Sequence, residues 1–262
     1  MTARDHRRHR EVSAGLIEAA HDYRWLLDRG YPDQPAIKLV GDRYQLTGVE
    51  RAMLFRGVFS DSDSTRRGEM LIPATEWLSG EEADSDRPDE SESRFEHLLV
   101  DGHNVLFTVS NYLAGRPVVL GTDGIIRDIG GTHTRLPRDE RFSRIADILC
   151  RTLAASRFRR LTILLDAPLP WSREHRRILL ERWHSVTAVK TFEVDVSPQP
   201  TPEVLLEEHV DRTVAAIQDS AVATSDTGIL NRCQAPVADV GGTIVRETFD
   251  AALVELLPGA TT

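Results

Sequence analysis

The sequence predicts an α/β protein in which a parallel sheet flanked by helices follows a small helical region. Three observations predict this class. From Phe95 onward, short apolar runs alternate with helix-spaced segments, the pattern of a parallel sheet covered on both faces. Before Phe59 the apolar residues fall at helical spacing instead. Between the two lies "GEEADSDRPDESESRFE", so poor in apolar residues that burial cannot offset its ordering entropy. The expected division is a helical region over 1–79, an acidic flexible linker over 80–95 and an α/β domain over 96–262.

The elements follow in order. Leu16, Ile17, Ala20, Tyr23 and Leu27 make the stripe of a first helix, stopped by "DRG" and the proline of "YP". "LTGVERAMLFRGVF" opens a second, with Thr47 and Glu50 at capping-box spacing. Such helices either pack on a larger domain or stand as a small binding module. "HLLV" reads as a buried strand and "NVLFTVSNYLAG" as a helix ended by Gly115. "PVVLGTDGIIRDI" reads as two strands joined at Asp123-Gly124, a hairpin signal. "RFSRIADILCRTLAAS" is a striped helix, "LTILLD" a strand, "SREHRRILLERW" a helix and "VKTFEV" a strand. "PEVLLEEHVDRTVAAIQDS" is a long helix, "AVATSD" a strand, and "PVADVGGTIV" supplies a last short strand.

Composition narrows the function classes. With 40% hydrophobic residues in 262, the chain can bury a substantial core. No apolar run reaches the length of a membrane span and the start does not resemble a signal peptide, so a cytoplasmic protein with no membrane partner is expected. The two cysteines, Cys150 and Cys233, form no CxxC pair, which excludes a disulfide framework or a structural zinc quartet; Cys150 reads as a core residue. A net charge of −9 excludes general affinity for polyanions, although nearly all the basic residues are arginine, with only Lys38 and Lys190 otherwise. Arginine suits phosphate; a coding bias produces the same composition.

The chemistry concentrates at strand ends. "HLLVD", "TILLD" and "VATSD" close on Asp101, Asp166 and Asp226. In open parallel sheets the carboxyl ends of the strands line the ligand crevice, so three aspartates there are expected to converge. Their repulsion is relieved by a cation, and an oxygen-only ligand set suits Mg²⁺ or Mn²⁺. Asp211, at the edge of the apolar face made by Val210, Val214 and Ile217, is a fourth candidate acid. The plainer reading of each is a solvent-facing turn or helix residue, with Asp101 facing water and Asn104 capping the next helix.

"LLVDGHNVLF", "TILLDAP", "EEHVDRTVAAI" and "AVATSDTGIL" resemble the acidic motifs of PIN-like nucleases, especially the NYN branch, over about Glu96 to Pro258. The whole chain also resembles a prokaryotic family without an established activity that joins a short helical region to a PIN-like domain. That second resemblance rests on "DYRWLLDRGYP", "GDRYQLTGVERAMLFRGVF", "TDGIIRDIGG" and "LLDAP". The PIN-like resemblance implies Asp101 as the first metal ligand, Asn104 as a supporting polar group, and Asp211 and Asp226 as the later acids. Thr224 and Ser225 match the small polar residues that orient those acids; Asp166 stands where the acid varies among NYN proteins. His103 departs from the family, which carries Tyr or Phe there; it either packs or approaches a base or phosphate.

Arg127 either contacts phosphate or pairs with Asp128, while Asp123 makes the turn. His133, in "GGTHTR", sits in a loop that would cover the cleft. Arg173, with Arg176 and Arg177, offers guanidiniums to a phosphate backbone or joins Glu174 and Glu181 in a solvated face. "DVGGTIV" lacks the GK[ST] of a P-loop, no GxGxxG follows the first strand, and Ser225 lacks a GxSxG elbow. The resemblance implies a divalent-metal-dependent ribonuclease that hydrolyses phosphodiesters. The alternatives are a PIN-like RNA- or protein-binding module without activity, and a metal-dependent phosphatase or flap-type DNA nuclease.

Overall fold

The structure is a computed structural model that describes residues 12–78, 95–130, 135–186, 190–197 and 219–258. The expected acidic linker apart from Phe95, the His133 loop and the long helix carrying Asp211 lie outside the described residues. The chain divides into two compact units, one of Met1–Glu69, Asn111–Thr134 and Val245–Thr262, the other of Met70–Ser110 and Arg135–Ile244. No helix among the described residues is long and apolar enough to cross a membrane.

In the first unit, α1 (Ala14–Asp28) is capped by Ser13, whose hydroxyl accepts from the Leu16 N–H, and it buries Leu16, Ala19, Ala20, Tyr23 and Leu26. Next come α2 (Asp33–Arg43), burying Ala36, Ile37 and Val40, and α3 (Gly48–Gly57). The capping box expected at α3 is present: Thr47 Oγ1 accepts from the Glu50 N–H at 3.2 Å, and Glu50 Oε2 accepts from the Thr47 N–H at 2.8 Å. Thr47→Ala is expected to cost about 1 kcal/mol, read as a lower urea midpoint at unchanged m-value. A further helix, α4 (Asp61–Met70), was not foreshadowed, because its buried residues are Ser64 and Arg67 rather than an apolar stripe.

The hairpin expected at Asp123-Gly124 forms. Strands β2 (Val118–Leu120) and β3 (Ile126–Asp128) pair antiparallel, and Gly124 takes the left-handed conformation at φ 80°. A short strand, β7 (Val254–Glu255), runs parallel to β2, so this three-stranded sheet is separate from the sheet of the second unit. Val119, Val254 and Leu256 complete the core that Leu16, Tyr23, Val40 and Leu54 begin.

Arg127 does not pair with Asp128. It is fully buried, with Nη1 2.8 Å from Oδ1 and Nη2 2.7 Å from Oδ2 of Asp123. Arg67 reaches the same carboxylate at 3.4 Å, and both guanidiniums lie over the Phe59 ring. Asp128 instead accepts from Asn111 Nδ2 at 2.6 Å and from the Gly130 N–H at 2.7 Å. The tight turn brings Asp123 back over its own strand, which geometry along a single strand could not reveal.

The second unit holds a parallel four-stranded sheet in the order β5-β4-β1-β6. Its strands are β1 (His97–Asp101), β4 (Arg160–Asp166), β5 (Thr191–Ser197) and β6 (Ser220–Ala223). Helices flank it: α5 (Ala74–Trp77), the start of α6 (Gly102–Leu113), α7 (Glu140–Ala154) and α8 (Ser172–Val186). The α7 stripe is buried as expected, and Cys150 lies against the Leu179 carbonyl of α8. Trp183 of α8 stacks on Phe192 of β5 at 4.1 Å. Where "PVADVGGTIV" read as a strand, Val237 alone bridges to Val222 and Leu71, and Val240–Thr243 is helical, capped by Asp239.

Strand order sets the crevice. From β1 the chain builds outward to β4 and then β5, and β6 returns on the other side of β1. The reversal therefore falls between β1 and β6, the place where parallel sheets open a cleft at their carboxyl ends.

Candidate functional site

Asp101 ends β1 beside this reversal. A Cβ on the next residue, Gly102, would stand 2.5 Å from Ile163 Cγ2 and 2.8 Å from the Leu164 carbonyl, so only glycine lets α6 start so close to β4. Asp101 does not face water: it is 5% exposed. Its Oδ2 accepts from the Thr224 hydroxyl at 2.9 Å, and its Oδ1 accepts a longer bond from the Asn104 N–H at 3.4 Å. Asp101 thus caps α6, and Asn104 does not. Burial pushes the Asp101 carboxyl up to about 7; the Thr224 hydroxyl opposes this, while the carboxylates of Asp166 and Asp226 push it further.

The loop after β6 is tied to α6. Asn104 Oδ1 accepts from the backbone N–H of Ser225 at 2.8 Å and from its hydroxyl at 2.9 Å. Thr224 Oγ1 in turn accepts from the Asp226 N–H at 3.1 Å. Asp226 Oδ1 caps the short helix Thr227–Leu230 through the N–H groups of Gly228 and Ile229, a cap that does not use Oδ2. Thr224, Ser225 and Asn104 therefore hold the two strand-end acids in place. Asn104→Ala removes the Oδ1 acceptor shared by the Ser225 N–H and hydroxyl and is expected to cost about 1–3 kcal/mol in urea unfolding.

Asp166 ends β4, the neighbour of β1. Its N–H donates to His103 Nδ1 at 2.9 Å, and its Oδ2 lies 3.4 Å from the same nitrogen. His103 is 2% exposed and sits edge-on to His175, which stacks on Phe142 at 4.0 Å. Its ring packs and positions Asp166, and it is enclosed too fully to stack on a base. The sequence offered no sign of His175 as a packing partner, because seventy-odd residues separate it from His103.

Arg173, in the first turn of α8, is exposed and has no ion-pair partner among the described residues, whereas Arg177 is taken by Glu174 and Glu181. Arg127 belongs to the other compact unit, where Asp123 occupies its guanidinium. The structure thus brings together Asp101, Asp166, Asp226, Asn104, Thr224, Ser225 and His103. Arg127 belongs to the first unit, and Asp211 lies outside the described residues.

The donor chemistry fits a hard divalent cation. The candidates are oxygen donors only, and the buried carboxyl of Asp101 feels two like charges that a cation would neutralise. Among the described residues no group of three or more His, Cys, Asp or Glu is placed to hold a metal ion. The fit is therefore one of donor type and charge.

Comparison with known proteins bears on family alone. An uncharacterized protein of Methanocaldococcus jannaschii is 22% identical over 138 residues, which cover 53% of this chain and 59% of that protein. The chain thus matches less than two thirds of that relative's length. No solved structure matches with significance. Residues 15–69 match a protein family of unknown function (DUF434). Residues 91–242, more than half of the chain, match the domain of unknown function DUF5616, and the chain belongs to that family.

Proposed function

We propose that the protein is a PIN-like, divalent-metal-dependent ribonuclease whose centre lies at the carboxyl ends of β1, β4 and β6. The observation that carries this reading is the burial of Asp101 at the strand-order reversal, where it feels the charges of Asp166 at the end of β4 and Asp226 in the loop after β6. Asp101 and Asp226, with Asp211 as the third ligand that the resemblance implies, would hold Mg²⁺ or Mn²⁺, and Asp166 would be a further acid beside them. Such an ion supplies an activated water and neutralises charge at phosphorus.

The chain's own residues set the conditions. Thr224 directs its hydroxyl at Asp101 Oδ2, and Asn104 fixes Ser225 and hence the approach of Asp226. Asp101 Oδ2 is already screened from water, so its proton must leave before a cation is bound there. Cleavage is therefore expected to rise about tenfold per pH unit below about 7 and to level off above it.

A second reading has its own support. Asp226 Oδ1 is occupied as a helix cap, which suits a module that binds RNA or protein without cutting. The test is labelled RNA and DNA incubated with purified protein in Mg²⁺, Mn²⁺ or chelator, beside Asp226→Asn. Metal-dependent RNA cleavage lost in Asp226→Asn supports the nuclease. RNA retention without cleavage supports the binding module, and cleavage that survives the substitution points to a contaminant.

A further inference from the structure

We infer that Trp171, flanked by Arg138 and Arg173, is a seat for one nucleotide of a single-stranded nucleic acid beside the acidic centre.

Trp171 is half exposed, at 50%, in the loop that leaves β4 directly after Asp166. Its backbone is left-handed, at φ 73°. A bulky residue in that region is strained, and such strain persists only where the surroundings impose it. Here they do. The Trp171 carbonyl accepts from the His175 N–H at 2.8 Å. Ser172 Oγ, on the next residue, lies 2.6 Å from the Asp166 carbonyl and 2.7 Å from that of Leu169. The indole is thus held rigidly beside an acidic strand end, with its side chain turned outward rather than into the core.

The charges around it are arranged for an anion. Arg138 lies over the indole at 4.3 Å from the ring centroid and has no carboxylate partner among the described residues. His175 Nε2 donates to the Pro137 carbonyl at 3.1 Å, which anchors the segment carrying Arg138 against α8. Arg173, two residues beyond Trp171, is likewise exposed without a carboxylate among the described residues. Three other exposed arginines of this unit are paired, Arg141 with Asp139, Arg151 with Asp147 and Arg177 with Glu174. Unlike those three, the two arginines beside the exposed indole have no carboxylate partner among the described residues.

An aromatic face with flanking guanidiniums is what an unpaired nucleotide requires: a base stacks on the ring and the adjoining phosphates meet the cations. A duplex hides its base faces and cannot use the indole. One face of Trp171 carries Arg138, so the base takes the other and completes a guanidinium–indole–base stack. This places the substrate's unpaired segment next to Asp166, and in that respect it rests on the proposed cleavage centre.

The test uses the full chain carrying Asp101→Asn, titrated by anisotropy with a short labelled single-stranded RNA, its duplex and the same single strand as DNA. The single strands are expected to bind at least about tenfold more tightly than the duplex and to quench tryptophan fluorescence. A preference between the RNA and DNA strands identifies which of them the seat takes. Trp171→Gly is expected to weaken binding about tenfold while its melting temperature stays level or rises, since glycine relaxes the left-handed backbone. Trp171→Phe should retain most of the affinity, and Arg173→Gln should lower the salt slope by about one. Equal binding of duplex and single strand, or unchanged affinity in Trp171→Gly, overturns the seat. Cleavage is scored separately on the Asp101 protein: cleavage with Trp171-independent binding sinks the seat alone, and Trp171-dependent binding without cleavage sinks the nuclease alone.

Discussion

Asp101→Asn is expected to abolish metal-dependent cleavage and, at pH 8 without metal, to raise the melting temperature. Both effects come from one carboxyl. In the folded protein it titrates at about 7, above the ordinary aspartate range, because it is buried and faces two like charges. Between the ordinary value and about 7 the folded state therefore binds a proton that the unfolded chain has released. Stability from this group is full in acid and is lost as pH rises through about 7. The difference amounts to about 4 kcal/mol at the high-pH limit. For a chain of this size that is roughly 10 °C.

Asparagine carries no such charge. Its amide oxygen can accept from the Asn104 N–H while its amide nitrogen donates to Thr224 Oγ1, whose hydroxyl turns to suit. The measurement is thermal melting of both proteins at pH 5 and pH 8, with and without Mg²⁺. The variant should gain more at pH 8 than at pH 5, because at pH 5 only part of the penalty is present, and Mg²⁺ should raise the parent more than the variant. Equal melting throughout would contradict a buried charge at Asp101, and cleavage by the variant would end the nuclease reading.

Asp123→Asn should do the opposite. Burial alone would push this carboxyl up, but Arg127 and then Arg67 overcome it and hold it below the usual range. Its stabilisation is present above that range and is lost as pH falls through the lower folded value. Removing the charge leaves Arg127, fully buried, and Arg67, nearly so, facing an uncharged amide. Breaking such a buried pair costs about 3–5 kcal/mol, because the remaining cation has no water to return to. Urea unfolding at pH 7 should show that loss. A change below about 1 kcal/mol would mean the network adds little beyond packing.

Much of the local structure was legible. The capping box at Thr47, the hairpin at Gly124 and the α7 stripe each depend on residues a few positions apart, and each formed. What escaped depended on distant partners. Helix α4 buries a serine and an arginine, sound choices only because Thr122 and Asp123 await them. Strand β7 is two residues long and exists because β2 offers it an edge. Arg127 read as a phosphate contact or a partner of Asp128, and the turn gave it Asp123 instead.

The site divides in the same way. That Asp101 and Asp166 end apolar strands was written in the sequence, since a strand's period and its terminal residue are local properties. Asp226, expected at the end of the third, lies three residues past β6, where it caps the next short helix. Which strands are neighbours was not. Only the order β5-β4-β1-β6 makes β4 and β6 the two flanks of β1, and so brings the charges of Asp166 and Asp226 to bear on Asp101. Burial was likewise decided in three dimensions: it gave Asp101 its proton near neutrality, enclosed His103 and left Trp171 outside. Solvent exclusion depends on what packs around a residue, and the chain supplies that from far along its length.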